Sequence, residues 1–188
     1  MHYFCYDTAI NKEYTLLLLQ QSYLAHRCLF EGTKDNQLWD VAPWLFAIGD
    51  DIPGLYAHIQ ADPLASLERA TIFESGLDLV SLATYLQEFI YYTEAGKEYF
   101  FRFWDAAVMD KYLVSCSPVQ LDIIYGEALQ AICCAPDAQH IRRYTFRSGK
   151  LHSTDLITDT KEIQPLPAAE IAPATETTAR KPRKFFID

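Results

Sequence analysis

A chain of 188 residues, 50% hydrophobic and 14% aromatic, carries enough apolar material for a well-filled core and has the length of one domain with a tail. Its net charge of −9 is uneven: residues 1–135 hold 7 basic and 18 acidic side chains, a net of −11, and residues 136–188 hold 9 and 7, a net of +2. So acidic a body argues against nucleic acid or an anionic membrane as the main partner and favours a protein partner or plain solubility; no apolar run approaches the roughly 20 residues of a membrane span.

Residues 3–6 form an aromatic run suited to a buried strand, which Asp7 ends. Asn11 is placed to cap a helix reaching Tyr23 or Leu24, and the leucines at 16–19 predict that it is covered on more than one side. A short strand at 28–30 gives way to a polar stretch at 31–36, and a further apolar stretch follows at 41–48. Pro43 offers no ladder donor, so this segment is expected at a sheet edge or with an irregular start. Asp50, Asp51, Ile52, Pro53 and Gly54 have turn chemistry, with a short helix expected at 55–60.

Residues 70–74 read as a strand stopped by Ser75 and Gly76. Leu79, Leu82, Ala83, Leu86, Phe89 and Ile90 recur at three- and four-residue spacing, the pattern of an amphipathic helix. A turn at 94–97 leads into a dense aromatic strand at 99–104, then into a helix at 106–114 with Val108, Met109, Tyr112 and Leu113 on its apolar face. Residues 141–146 and 151–157 flank Ser148 and Gly149 as a hairpin. The alternation predicts an α/β fold, with a mixed sheet flanked by helices, a C-terminal hairpin extension and a flexible tail. The tail, from Gln164, is rich in Pro, Ala and Thr and ends in a basic cluster followed by Phe185, Phe186 and Ile187. That composition cannot build a core, but its end suits a docking peptide.

The chemistry-bearing residues are scattered. Cys5, Cys28, Cys116, Cys133 and Cys134 are odd in number and lack metal-type spacing, so free thiols in a reducing compartment are expected. His2, His26, His58, His140 and His152 form no ligand pair, and no phosphate-binding loop or nucleophile elbow is present. Cys28 beside His26 suits core packing better than catalysis, and Asp50 with Asp51 suits a solvated turn better than a cation site. No cofactor, metal or catalytic residue is therefore expected. The run 100–105 stands out. Strand alternation would put Arg102 and Trp104 on one face and Phe101 and Phe103 on the other. A buried Arg there needs Asp105, Asp7 or Asp40 as partner; an exposed one would make an aromatic-plus-Arg binding surface.

Three segments resemble the type VI secretion adaptors, or effector chaperones. They are Tyr6-Asp7-Thr8-Ala9; Leu29-Phe30-Glu31-Gly32-Thr33 with Leu38-Trp39-Asp40-Val41-Ala42-Pro43-Trp44-Leu45; and Phe73-Glu74-Ser75-Gly76, running through Leu86 to Phe101-Arg102-Phe103-Trp104-Asp105. Their order and spacing agree with that family over about residues 3–126. Ala106 and Ala107 stand where the family has Pro-Arg, and Tyr85 where a His is common. The resemblance implies a cytoplasmic protein of a Gram-negative bacterium that holds a toxic effector and helps load it onto the VgrG spike or its PAAR-type cap. Arg102, Trp104 and Asp105, with Phe185 and Phe186 of the tail, are the candidate partner-binding residues. Residues 1–135 would be the adaptor domain, 136–163 its extension and 164–188 the tail. An immunity protein that blocks a toxin by direct binding suits the same size and charge, and an enzyme with an unrecognised site is a further alternative.

Overall fold

The computed structural model describes residues 1–9, 13–49, 70–134 and 140–157. Asn11, the turn at 50–54, the helix at 55–60 and the tail with Phe185 and Phe186 lie outside the described residues. In chain order the elements begin with β1 (His2–Asp7), α1 (Glu13–Ser22), β2 (His26–Cys28), a 3-10 turn (Asn36–Val41), β3 (Pro43–Gly49) and β4 (Ala70–Ser75). There follow α2 (Leu79–Gln87), β5 (Tyr91–Glu94), β6 (Lys97–Phe100), α3 (Ala106–Ser115), α4 (Pro118–Tyr125), β7 (Leu129–Cys134), β8 (His140–Arg147) and β9 (Lys150–Ile157).

β1 is the strand around which the rest is laid. Tyr3, Phe4, Cys5 and Tyr6 are fully buried, because both faces of the strand are covered and not one. Tyr3 and Cys5 join a core with Phe73, Leu82, Leu86, Met109, Leu113 and Leu121, beneath α2, α3 and α4. Phe4 and Tyr6 join a second core with Leu16 and Leu19 of α1 and with Phe46, Ile72 and Cys133. Among the described residues the architecture is therefore three-layered: α1, a seven-stranded sheet in the order β2-β3-β1-β4-β7-β8-β9, and three helices on the opposite face. β5 and β6 form a separate two-stranded ribbon.

The α/β class is as expected, but every described strand pairing is antiparallel and none is parallel. The reason lies in where the long excursions end. The chain leaves the sheet at Ser75, builds α2, the ribbon, α3 and α4, and returns at Leu129, the register partner of Ser75. A connection that finishes at the end it left gives an antiparallel neighbour; a parallel one needs a crossover to the other end.

Several elements depart from the sequence pattern. The aromatic strand stops at Phe100, since Phe103 and Trp104 turn under the sheet into the core at 2% exposure each. Aromatic density there marked burial, which a turn satisfies as well as a strand. α1 is covered on one side: Leu16 and Leu19 are 1% exposed while Leu17 is 50% exposed. β3 is an inner strand between β2 and β1, and Pro43 is tolerated because it opens the strand. Neither α4 nor β7 was anticipated. α4 carries a clear start signal, a capping box in which Ser117 Oγ accepts from Gln120 N (3.4 Å) and Gln120 Oε1 accepts from Ser117 N (2.8 Å), with Pro118 behind the cap. The hairpin at the C-terminal side is present: Ser148 (φ 52°) and Gly149 (φ 74°) make a left-handed two-residue turn, and β8 joins the main sheet through β7.

A polar network fixes β8 against α3. Tyr144 OH donates to Asp110 Oδ1 (2.6 Å), and Arg142 reaches Asp110 (3.4 Å) and Asp155 of β9 (2.9 Å). Burial, and then the Asp110 hydrogen bond, push the Tyr144 phenol up to about 12 from its ordinary 10.0. The folded state favours the neutral phenol, so its contribution is complete below pH 10 and is lost as pH rises towards 12. Urea midpoints measured from pH 8 upward are expected to hold to about pH 10 and then fall, with a smaller alkaline fall in Tyr144→Phe.

Candidate partner-binding site

The last residue of β1 faces the helical layer. Asp7 is 2% exposed, its Oδ1 accepts from the Ala9 amide (2.9 Å), and its Oδ2 accepts a short hydrogen bond from Arg102 Nη2. Asp105 caps α3, its Oδ1 accepting from the amides of Ala107 (3.0 Å) and Val108 (3.2 Å), and its Oδ2 lies 3.8 Å from Arg102. Of the three acids expected to answer Arg102, Asp7 and Asp105 do so. Arg102 thus ties the end of the central strand to the start of α3 while its side chain stays 39% exposed. Trp104 is spent differently. At 2% exposure it packs edge-on against Phe30, Phe100 and Phe103, at centroid distances of 6.3, 5.4 and 5.0 Å.

Arg102 and Trp104 nevertheless reach one groove of about 280 Å³, whose apolar walls are Phe30, Leu38, Val41 and Phe100. A second depression, about 440 Å³, lies against Trp39, Trp44 and His26. The 3-10 turn Asn36–Val41 contributes to both and buries none of its residues. Leu38, Trp39 and Val41 are 47%, 51% and 42% exposed. Sequence reasoning missed these three, because apolar residues ahead of a strand count as core material by composition.

The segment is exposed but firmly held. Thr33 Oγ1 donates to Phe30 O (2.8 Å), and Gly32, at φ 78°, makes the left-handed bend before it. Gln87 Nε2 of α2 donates to the carbonyls of Leu29 (3.0 Å) and Glu31 (2.8 Å). Tyr91 OH donates to Asp35 Oδ2 (2.6 Å); burial and this bond raise its pKa, which keeps the phenol protonated and donating. Lys34 stands over the Tyr91 ring at 4.3 Å and pairs with Glu98 of β6. Downstream, Trp44 Nε1 donates to Trp39 O (3.0 Å) and Thr8 Oγ1 to Ala42 O (2.7 Å). The loop, the turn and the β5–β6 ribbon are therefore one joined surface, continued by Tyr92 and Tyr99, which stack at 5.1 Å and stay half exposed.

The remaining candidates have structural surroundings. His26 Nδ1 is 2.9 Å from Tyr23 O, and burial pushes the Cys28 thiol up, away from the thiolate a nucleophile needs. All five cysteines are free; Cys116 is half-buried and the other four are buried. Tyr85, which departs from the adaptor pattern, donates to the carbonyls of Ile123 and Ile124 (2.9 Å each) at the end of α4. Among the described residues no group of three or more His, Cys, Asp or Glu is arranged to hold a metal, and no helix is long and apolar enough to cross a membrane.

Removing Arg102 leaves the Asp7 carboxylate buried without its charged donor. Arg102→Ala is expected to cost about 2 kcal/mol of folding stability, the low side of a buried charged hydrogen bond because the guanidinium is partly in water. Urea unfolding of Arg102→Ala, Asp7→Ala and the double variant measures this, and the double variant should lose clearly less than the two single losses added.

Comparison with known proteins returns a match over residues 2–122 to a domain of unknown function, DUF4123. No curated protein and no solved structure matches the chain. The matched span runs from β1 to α4 and contains Asp7, the 3-10 turn, the ribbon and Arg102. By a match over more than half its length, the chain belongs to the DUF4123 family.

Proposed function

We propose that this protein is a type VI secretion adaptor: it binds a toxic effector in the cytoplasm of a Gram-negative bacterium and helps load it onto the VgrG spike or its PAAR-type cap. It works by binding and not by catalysis. One observation carries the reading. The segments that resemble the adaptors are far apart in the chain yet meet around one groove: Asp7 with Arg102, Thr8 with Ala42, and Phe30 with Trp104. Around that meeting point, apolar side chains are held out at the surface on an anchored scaffold, which is the anatomy of an interface. The acidic balance of residues 1–135 suits a protein partner better than a nucleic acid.

The first test is mass spectrometry of what co-purifies with the tagged full chain from its native bacterium, grown with the secretion system expressed. A toxin together with a VgrG or PAAR protein is the expected result. A toxin alone that is harmless to cells only when this chain is co-expressed would instead make the chain an immunity protein. A chain recovered without any partner would overturn the adaptor reading.

A further inference from the structure

The groove beside Arg102 joins apolar walls to an acidic rim. Phe30, Leu38, Val41 and Phe100 line a volume of about 280 Å³, and the exposed ridge of Leu38, Trp39 and Val41 stands along it. Asp7 and Asp35 line the same groove, Asp40 is exposed in the turn between Trp39 and Val41, and Asp105 lies 3.8 Å from Arg102. Arg102 is the one cation among the described lining residues, and Lys34, next to Asp35 in the chain, is already paired with Glu98. Carboxylates therefore outnumber cations around an apolar floor. Such a site attracts an occupant that carries several positive charges directly beside large apolar side chains.

Outside the described residues the chain holds one segment of that kind. Arg180, Lys181, Arg183 and Lys184 lead directly into Phe185, Phe186 and Ile187. Strand topology puts the root of this segment on the groove's side of the molecule. The register sets Cys5, Thr71, Cys134, Arg142 and Asp155 in one row across the sheet. β1 ends two residues beyond that row at Asp7, and β9 ends two residues beyond it, in the same direction, at Ile157. The chain therefore leaves the sheet at the end where the groove lies, four strand spacings away, or about 19 Å. Residues 158–179 join β9 to Arg180, and a coil of roughly 20 residues spans about 25 Å. Tethering at a matched span gives an effective concentration on the order of millimolar. That exceeds the concentration of a free partner, so even a weak contact keeps the groove filled.

We propose that residues 180–187 dock in this groove on their own chain, with Phe185 and Phe186 against Phe30, Phe100 and the ridge, and the cations ahead of them on Asp35 and Asp40. The groove is then occupied by the chain itself, and any partner that uses it must first displace the segment. This goes beyond the adaptor reading and does not depend on it, because the occupant is part of the same chain.

The test uses the purified full chain with the photo-crosslinking residue p-benzoyl-phenylalanine in place of Phe186. It is irradiated at low protein concentration, and the cross-linked peptides are sequenced. The expected product has the mass of one chain and joins position 186 to peptides that contain Leu38, Val41 or Phe100. Its yield should fall about fivefold in Arg183→Glu/Lys184→Glu and in Asp40→Lys, and should fall in the same sense as salt is raised. The first of these variants changes no described residue and the second changes an exposed one, so neither disturbs the core. Full yield in both variants overturns the proposal. So does a cross-link confined to α4 around Val119 and Ile123, to residues 158–188 themselves or to a second copy, and so does the absence of any cross-link. Each of these failures leaves the adaptor reading standing, since no effector or spike protein is present in the experiment.

Discussion

Asp7 ends a strand whose other buried side chains are aromatic rings and a thiol, and at 2% exposure its carboxylate keeps almost no water. A charge so placed is tolerable only while its hydrogen bonds are made, here by the Ala9 amide and the Arg102 guanidinium. That requirement propagates. Arg102 must stand over the end of β1, so the ribbon that delivers it cannot continue as a strand. Its carbonyl instead accepts from the Asp105 amide (3.1 Å), closing the turn from which α3 starts. Phe103 and Trp104, within that turn, are carried under the sheet. One ion pair therefore decides where a strand stops, where a helix begins and which aromatic rings line the groove. Its worth lies less in net stability than in excluding other arrangements, since any of them strands the carboxylate.

What could be read beforehand follows how local the signal is. β1, α2 and the two tight turns, Ala95 with Gly96 and Ser148 with Gly149, are written in neighbouring residues, and they appear where the pattern puts them. Strand direction is not local, because it depends on the excursion from Ser75 returning to Leu129. β7 hides for another reason. Cys133 belongs to the core under α1 and Cys134 to the core under α2–α4, so a strand covered on both faces shows no alternation to detect. The candidate site divides in the same way. Arg102 announces itself as a charge among aromatics and its partners were among the nearby acids. The ridge does not, since the exposure of Leu38, Trp39 and Val41 is imposed by Thr8, Tyr91 and Trp44, none of which is within it.

The site is built so that its edge and its floor answer to different constraints. Phe30 and Trp104, on the floor, also belong to the main core, where Trp104 is among the largest fully buried side chains. Changing them alters packing under the sheet as well as the groove. Leu38, Trp39 and Val41 contact solvent over about half their surface and carry little of the core. A surface loop would lose much of its binding energy in becoming ordered, whereas a turn already fixed by hydrogen bonds from Thr8, Trp44 and Tyr91 has met that cost on folding. The ridge residues are therefore free to differ in shape and polarity without threatening the fold, while Asp7 and Arg102 are not. The adaptor function proposed above would call for this separation: a fixed ion pair and aromatic floor to hold the backbone still, and an exposed rim whose side chains can be matched to a partner.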